Sequence, residues 1–113
     1  METNSVIRAL GALAQESRLS VFRLLVEAGP GGLSAGQIAE RLGIAPSSLS
    51  FHMKELTHAS LATVEQHGRY MIYSANYTTM NDLMAYLTEN CCGGNPCTPI
   101  SAGSCNLSKE NAS

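Results

Sequence analysis

Apolar positions recur at helical spacing over the first half of the chain and then switch to an alternating pattern. Val6, Leu10 and Leu13 recur at intervals of four and three, which predicts a helix over about residues 5–14. Leu19, Phe22, Leu25 and Val26 predict a second helix over about residues 16–28, and Gly29-Pro30-Gly31-Gly32 cannot continue it. Ser34 is the expected N-cap of a third helix, with Gln37 placed to close a capping box and Ile38, Ala39 and Leu42 facing inward. Gly43 ends that helix, where a left-handed residue is wanted, and Pro46 stands near the first position of the next. Leu49, Met53 and Leu56 carry the fourth helix to about His58. A short helix, a tight glycine-containing turn and a second helix make a helix-turn-helix.

The period then changes from helix to strand. Leu61 to Gln66 alternates loosely, Tyr70 to Ser74 is rich in strand formers, and His67-Gly68-Arg69 joins them with Gly68 as the turn residue. This predicts a hairpin, or wing. A last helix is expected from about Thr78 or Thr79 through Leu83, Met84 and Leu87 to about Glu89. The fold class is therefore mainly α with a small β-hairpin, a winged helix-turn-helix. Its domain is expected over residues 1–90, followed by a flexible, cysteine-containing tail over 91–113 that lacks periodicity.

The fourth helix has two unlike faces. With side chains about 100° apart, Met53 and Leu56 fall within about 40° of Leu49. Ser47, Phe51, Lys54 and His58 fall opposite, with Ser48 and Ser50 on the flanks. Serine hydroxyls at a helix N-terminus suit phosphate, Lys54 suits phosphate or guanine, and Phe51 suits thymine methyl groups. Arg69 at the wing tip suits a backbone phosphate or the minor groove. Ser47, Ser48, Ser50, Phe51, Lys54 and Arg69 are thus the candidate DNA contacts. The plainer alternatives are a solvated helix face that meets no nucleic acid, and a Phe51 packed against the wing. His52, at the edge of the buried face, is expected to be a satisfied structural histidine.

Composition changes this picture in one respect. The formal net charge is −2, with a pI of about 5.8, whereas nucleic-acid binders are usually basic. Placement matters more than the sum: Glu2, Asp82, Glu89 and Glu110 lie outside the contact segment, and Arg41, Lys54 and Arg69 lie in or beside it. With 44% hydrophobic and 14% charged residues, the chain has the make-up of a folded domain. It shows neither a membrane span nor a signal peptide, so a cytoplasmic protein is expected. No nucleophile, base and orienting group stand in a recognisable arrangement, so no enzyme is expected.

SSLSFHMKELTHASLATVEQHGRYMIYS resembles the signature stretch of the ArsR/SmtB metalloregulatory repressors, and ESRLSVFRLLVEA and LSAGQIAERLGIAPSS resemble the helices that precede it there. The resemblance covers about residues 6–89. It implies a homodimer held by the first and last helices, binding to an imperfect palindromic operator, and release of that double-stranded DNA by an inducer. Two familiar inducer sites are missing. Leu33-Ser34-Ala35-Gly36-Gln37 holds no Cys-x-Cys, and the last helix has a lone Asp82 and no His.

The four cysteines all lie in the last quarter: Cys91, Cys92, Cys97 and Cys105. Adjacent thiols, a Gly-Gly-Asn-Pro turn and a third thiol can converge on one soft centre. Trivalent arsenic takes three sulfurs in a pyramid, and Cys91, Cys92 and Cys97 supply that set. The vicinal pair also resembles arsenical repressors whose site lies at the chain end. Arsenite, antimonite and methylarsenite are the expected inducers; methylarsenite needs only two sulfurs. Zinc or cadmium is the alternative, though zinc wants four donors and no C-x-x-C occurs. A thiol oxidation switch is a further alternative, and so is an unligated tail. Cys105 is expected to be a bystander. A winged helix that binds a partner protein through residues 47–58 and a metal-carrying protein are the rival classes.

Overall fold

The computed structural model describes residues 1–94, the Cys92 side chain excepted. Five helices and three strands follow in the order α1 (Thr3–Leu13), α2 (Glu16–Ala28), β1 (Leu33–Ser34), α3 (Ala35–Leu42), α4 (Pro46–His58), β2 (Ala62–His67), β3 (Tyr70–Ala75) and α5 (Tyr77–Leu87). Among the described residues a 3-10 turn over Cys91–Gly94 comes last. The chain divides into two compact units, Met1–Leu83 and Met84–Ser113, with the boundary inside α5. Among the described residues, no helix is long and apolar enough to cross a membrane.

Local chemistry sets the helix ends. Gln15 accepts a hydrogen bond from the Arg18 amide at 2.9 Å and caps α2. Ser34 and Gln37 form a reciprocal capping box: the Ser34 hydroxyl accepts from the Gln37 amide at 3.2 Å, and the Gln37 carbonyl accepts from the Ser34 amide at 2.9 Å. Gly43 closes α3 in the left-handed region, at φ 65°. Pro46 opens α4, where its missing N–H costs nothing. The helix-turn-helix and the hairpin therefore stand where the pattern placed them. α5 begins earlier than expected, at Tyr77, because Asn76 caps it: its side chain accepts from the Thr79 amide at 3.2 Å.

Met53, Leu49, Leu56, Ile38, Leu25, Val21 and Leu61 form the centre of the core. α1 sits with a different face inward from the one the pattern suggested. Val6, Ala9 and Ala12 are buried, while Leu10 is 41% and Ile7 61% exposed. Small alanines let α1 approach its neighbours closely, and its large side chains are left outside. In α2 the buried residues are Val21, Phe22 and Leu25, and Leu19 is exposed. In α3 only Ile38 is fully buried. Leu83 is buried, whereas Met84 and Leu87 are exposed.

The hairpin is the edge of a three-stranded antiparallel sheet in the order β1-β3-β2. β1 is a strand the sequence pattern did not reveal. Its two residues pair Leu33 with Tyr73 and Ser34 with Ile72. Gly32, at φ 72°, makes this approach possible, because a Cβ there would strike the Tyr73 carbonyl oxygen and come within 2.5 Å of the Ser74 hydroxyl. The Ser74 hydroxyl donates to the Pro30 carbonyl at 3.2 Å, tying the loop before β1 to β3. Tyr77 adds a second tie: its hydroxyl lies 3.0 Å from the Val26 carbonyl at the C-terminal end of α2.

Candidate nucleic-acid interface

α4 is positioned by its apolar face. Leu49, Met53 and Leu56 are all at most 2% exposed, so the helix cannot rotate about its axis without exposing them. That orientation leaves Ser47, Ser48, Ser50, Phe51, Lys54 and His58 exposed on the other side. The five residues singled out on this helix are therefore brought together on one accessible face. Phe51 is 55% exposed and does not fold down onto the wing; its ring meets the His52 ring edge-on, with centroids 5.9 Å apart.

The N-terminus of α4 differs from those of α2 and α3. Ala45 precedes it and offers no side-chain cap, Pro46 has no N–H, and no acidic residue stands in the first turn. The first amide drawn into the helix ladder is that of Leu49, bonded to the Ala45 carbonyl at 2.9 Å. The amides of Ser47 and Ser48 are left for solvent or an anion, at the positive end of the helix dipole. Two serine hydroxyls flank them. A phosphate finds backbone donors, hydroxyls and a favourable dipole in one place.

The wing projects from β2 and β3. Its register runs from Ala62 opposite Ala75 to His67 opposite Tyr70, with Gly68 and Arg69 forming the turn. Gly68 takes φ 63°, and the Gln66 side-chain amide donates to its carbonyl at 3.2 Å. Of β2 only Ala62 is buried, so the ladder and not a core holds the strand. Arg69 is exposed at the tip, and Tyr70 beside it is 66% exposed. On the neighbouring strand Glu65, the one carboxylate on the wing, lies 3.1 Å from the His67 ring nitrogen, and both side chains are exposed. Arg41, in the last turn of α3, is also exposed.

His52 corrects an expectation. It is half-buried, and its Nδ1 is fully shielded from solvent without a hydrogen-bond partner, so it is not a satisfied structural histidine. Periodicity placed it at the edge of the core but carried no information about a partner for its inner nitrogen.

Of the thiols, Cys91 is half-buried within the 3-10 turn, whose backbone also includes Cys92. The Cys92 side chain, Cys97 and Cys105 lie outside the described residues. Among the described residues, no three His, Cys, Asp or Glu side chains are grouped as a metal site.

A helix-turn-helix domain model matches residues 13–65, from the end of α1 to the middle of β2. The transcriptional repressor SdpR of Bacillus subtilis is 29% identical over 76 residues, which is 67% of this chain and 81% of that protein. An ArsR-like transcriptional regulator from Rhodococcus superposes with a TM-score of 0.67 at 24% identity, over 74% of this chain and 76% of that one. A homodimeric winged helix-turn-helix DNA-binding domain from Mycobacterium bovis, a possible ArsR-family regulator, superposes at 0.63 with 18% identity, over 84% of this chain and 88% of that one. These likenesses show the winged helix-turn-helix fold, and the proteins that share it are described as transcriptional regulators. In this chain the segment matched by the helix-turn-helix model contains every α4 residue singled out above, and the wing tip lies just beyond it.

Proposed function

We propose that the protein is a homodimeric transcriptional repressor. It binds a palindromic operator through α4 and the wing, and it releases the DNA when trivalent arsenic binds Cys91, Cys92 and Cys97. The observation that carries the DNA-binding reading is the exposed face of α4. Ser47, Ser48, Ser50, Phe51 and Lys54 share it, and it begins at an uncapped helix N-terminus. Arg69 on the wing is the accompanying contact. Acting on DNA, the repressor works in the cytoplasm.

Two features support pairing. α1 leaves Ile7 and Leu10 exposed, and α5 leaves Met84 and Leu87 exposed, so both terminal helices offer large apolar side chains. The M. bovis neighbour is homodimeric. Lys54 and Arg69 are then each presented twice, which offsets a negative net charge where it matters.

The inducer reading rests on thiol chemistry. Cys91 and Cys92 share one turn of backbone a few residues after α5 ends. Thiolates select thiophilic centres, and arsenite, antimonite and methylarsenite are such centres. Drawing Cys97 onto the same centre would constrain the path of the chain that follows α5. If α5 belongs to the dimer interface, that constraint changes the spacing of the two copies of α4. Half-sites about one turn apart tolerate little such change.

Fluorescence anisotropy with a palindromic duplex tests both parts. Two copies of Lys54 and Arg69 are four cations, so log K should fall with log salt at a slope near about −3.6, taking about −0.9 per phosphate neutralised. Association that ignores salt overturns the DNA reading. Arsenite should lower the affinity of the reduced protein, and Cys91→Ser and Cys92→Ser should bind DNA but no longer respond. If both variants still release DNA on arsenite, the cysteines are not the site.

A further inference from the structure

The α4 face described above does not use His52, yet this side chain has an unusual environment. Its two ring nitrogens sit in opposite settings. Nδ1 is sealed from solvent and meets no donor or acceptor. Nε2 has neither a protein partner nor such a seal, since the ring as a whole is only half-buried. A neutral imidazole carries one N–H and one lone pair. A buried N–H with no acceptor is among the rarest of unsatisfied groups. The hydrogen therefore belongs on Nε2, and the lone pair on the sealed Nδ1. The surface then sees a single donor.

This donor stands among the candidate DNA contacts. Ser48 precedes it by one turn on the same helical column, and Phe51 flanks it with its ring edge-on at 5.9 Å between centroids. We infer that His52 is a specificity-determining residue, whose Nε2–H donates to a purine N7 on a base edge of the operator. The inference rests on the DNA-binding reading above. It is the role the geometry allows: a fixed donor that cannot accept, and whose shielded nitrogen holds it in one tautomer. In the major groove every purine offers an N7 acceptor, and a donor-only group distinguishes it from the amino groups of cytosine and adenine. Being made to a base edge and not to a phosphate, this contact releases no condensed counterion, so it alters base preference and leaves the salt slope alone.

The test uses the full-length protein and a duplex it selects from a random pool. Failure to enrich any duplex overturns the DNA-binding reading itself. Given a selected duplex, each purine is replaced in turn by its 7-deaza analogue, and binding is compared for the wild type, His52→Leu and His52→Gln. At one position, or one symmetry-related pair, the wild type should lose roughly threefold to tenfold in affinity, the size of one hydrogen bond. His52→Leu should be indifferent there, and His52→Gln, which keeps an N–H donor, should stay sensitive. The salt slope should be the same for all three. A deaza profile of His52→Leu that matches the wild type at every purine overturns the inference. So does coupling to methylphosphonate linkages instead of purines. Leucine also removes the sealed nitrogen, so the melting midpoint should rise at equal protein concentration; a fall overturns the premise that Nδ1 lacks a partner.

Discussion

Replacing Gly32 by alanine should unfold the protein well below its normal melting point, through two separable effects. Gly32 takes φ 72°, and holding an L side chain in the left-handed region costs about 1–2 kcal/mol. The new Cβ would also strike the Tyr73 carbonyl oxygen, lie 2.5 Å from the Ser74 hydroxyl and 3.0 Å from the Ile72 methyl. The Ser74 hydroxyl can rotate away, at the cost of its bond to Pro30, but the Tyr73 carbonyl is part of the β1–β3 ladder. Forcing them apart adds about 1–3 kcal/mol, the range of an overpacked site. The sum, about 2–5 kcal/mol, is a large share of the roughly 5–15 kcal/mol that stabilises a domain. At about 4–8 °C per kcal/mol, the midpoint should fall by about 8–40 °C. Gly68→Ala is the matched control. Its φ is 63°, and nothing lies within 4 Å of the Cβ, so it should show the backbone cost alone. Thermal unfolding by circular dichroism at equal protein concentration measures both. Equal losses for the two variants would refute the close approach of the loop to β3 as the cause.

Ser34→Ala removes one half of the α3 capping box and should cost about 1 kcal/mol in chemical denaturation, with the slope against denaturant unchanged. Ser60 sits at φ 63° just past α4, so Ser60→Gly should stabilise by about 1 kcal/mol; destabilisation would show that the serine side chain matters more than its backbone. Lys54→Gln should weaken DNA binding across all sequences and reduce the steepness of log K against log salt by about 0.9 for each protomer. An unchanged slope would remove Lys54 from the phosphate contacts.

What could be read from the chain depended on how local the responsible interaction is. The Ser34–Gln37 box, the left-handed Gly43 and the leading Pro46 act within a few residues, and the helix-turn-helix stood where they marked it. The exposed set Ser47, Ser48, Ser50, Phe51 and Lys54 followed from periodicity because three large residues lock the opposite face. β1 was hidden because two residues carry no period and their partners on β3 lie about forty positions away in the chain. The inward face of α1 was misjudged because large apolar residues dominate a hydrophobic pattern, whereas close helix approach selects Ala9 and Ala12. The isolation of His52 Nδ1 is a property of three-dimensional neighbours and leaves no mark in the pattern.

The uncapped start of α4 has a consequence for energetics. α2 and α3 complete their first turns with side chains of their own, whereas α4 leaves the Ser47 and Ser48 amides to whatever occupies the space before them. In the free protein those two amides face solvent, while Leu49, buried in the same turn, holds the turn in place. An anion held there would give both amides their hydrogen-bond partners. Anion binding there and satisfaction of these amides would be one linked equilibrium. A substitution that supplied a cap from within, such as Ala45→Asp, would steady the helix while placing a negative charge where the anion belongs. In this molecule, stability at the start of α4 and affinity for an anion there are competing uses of the same two amides.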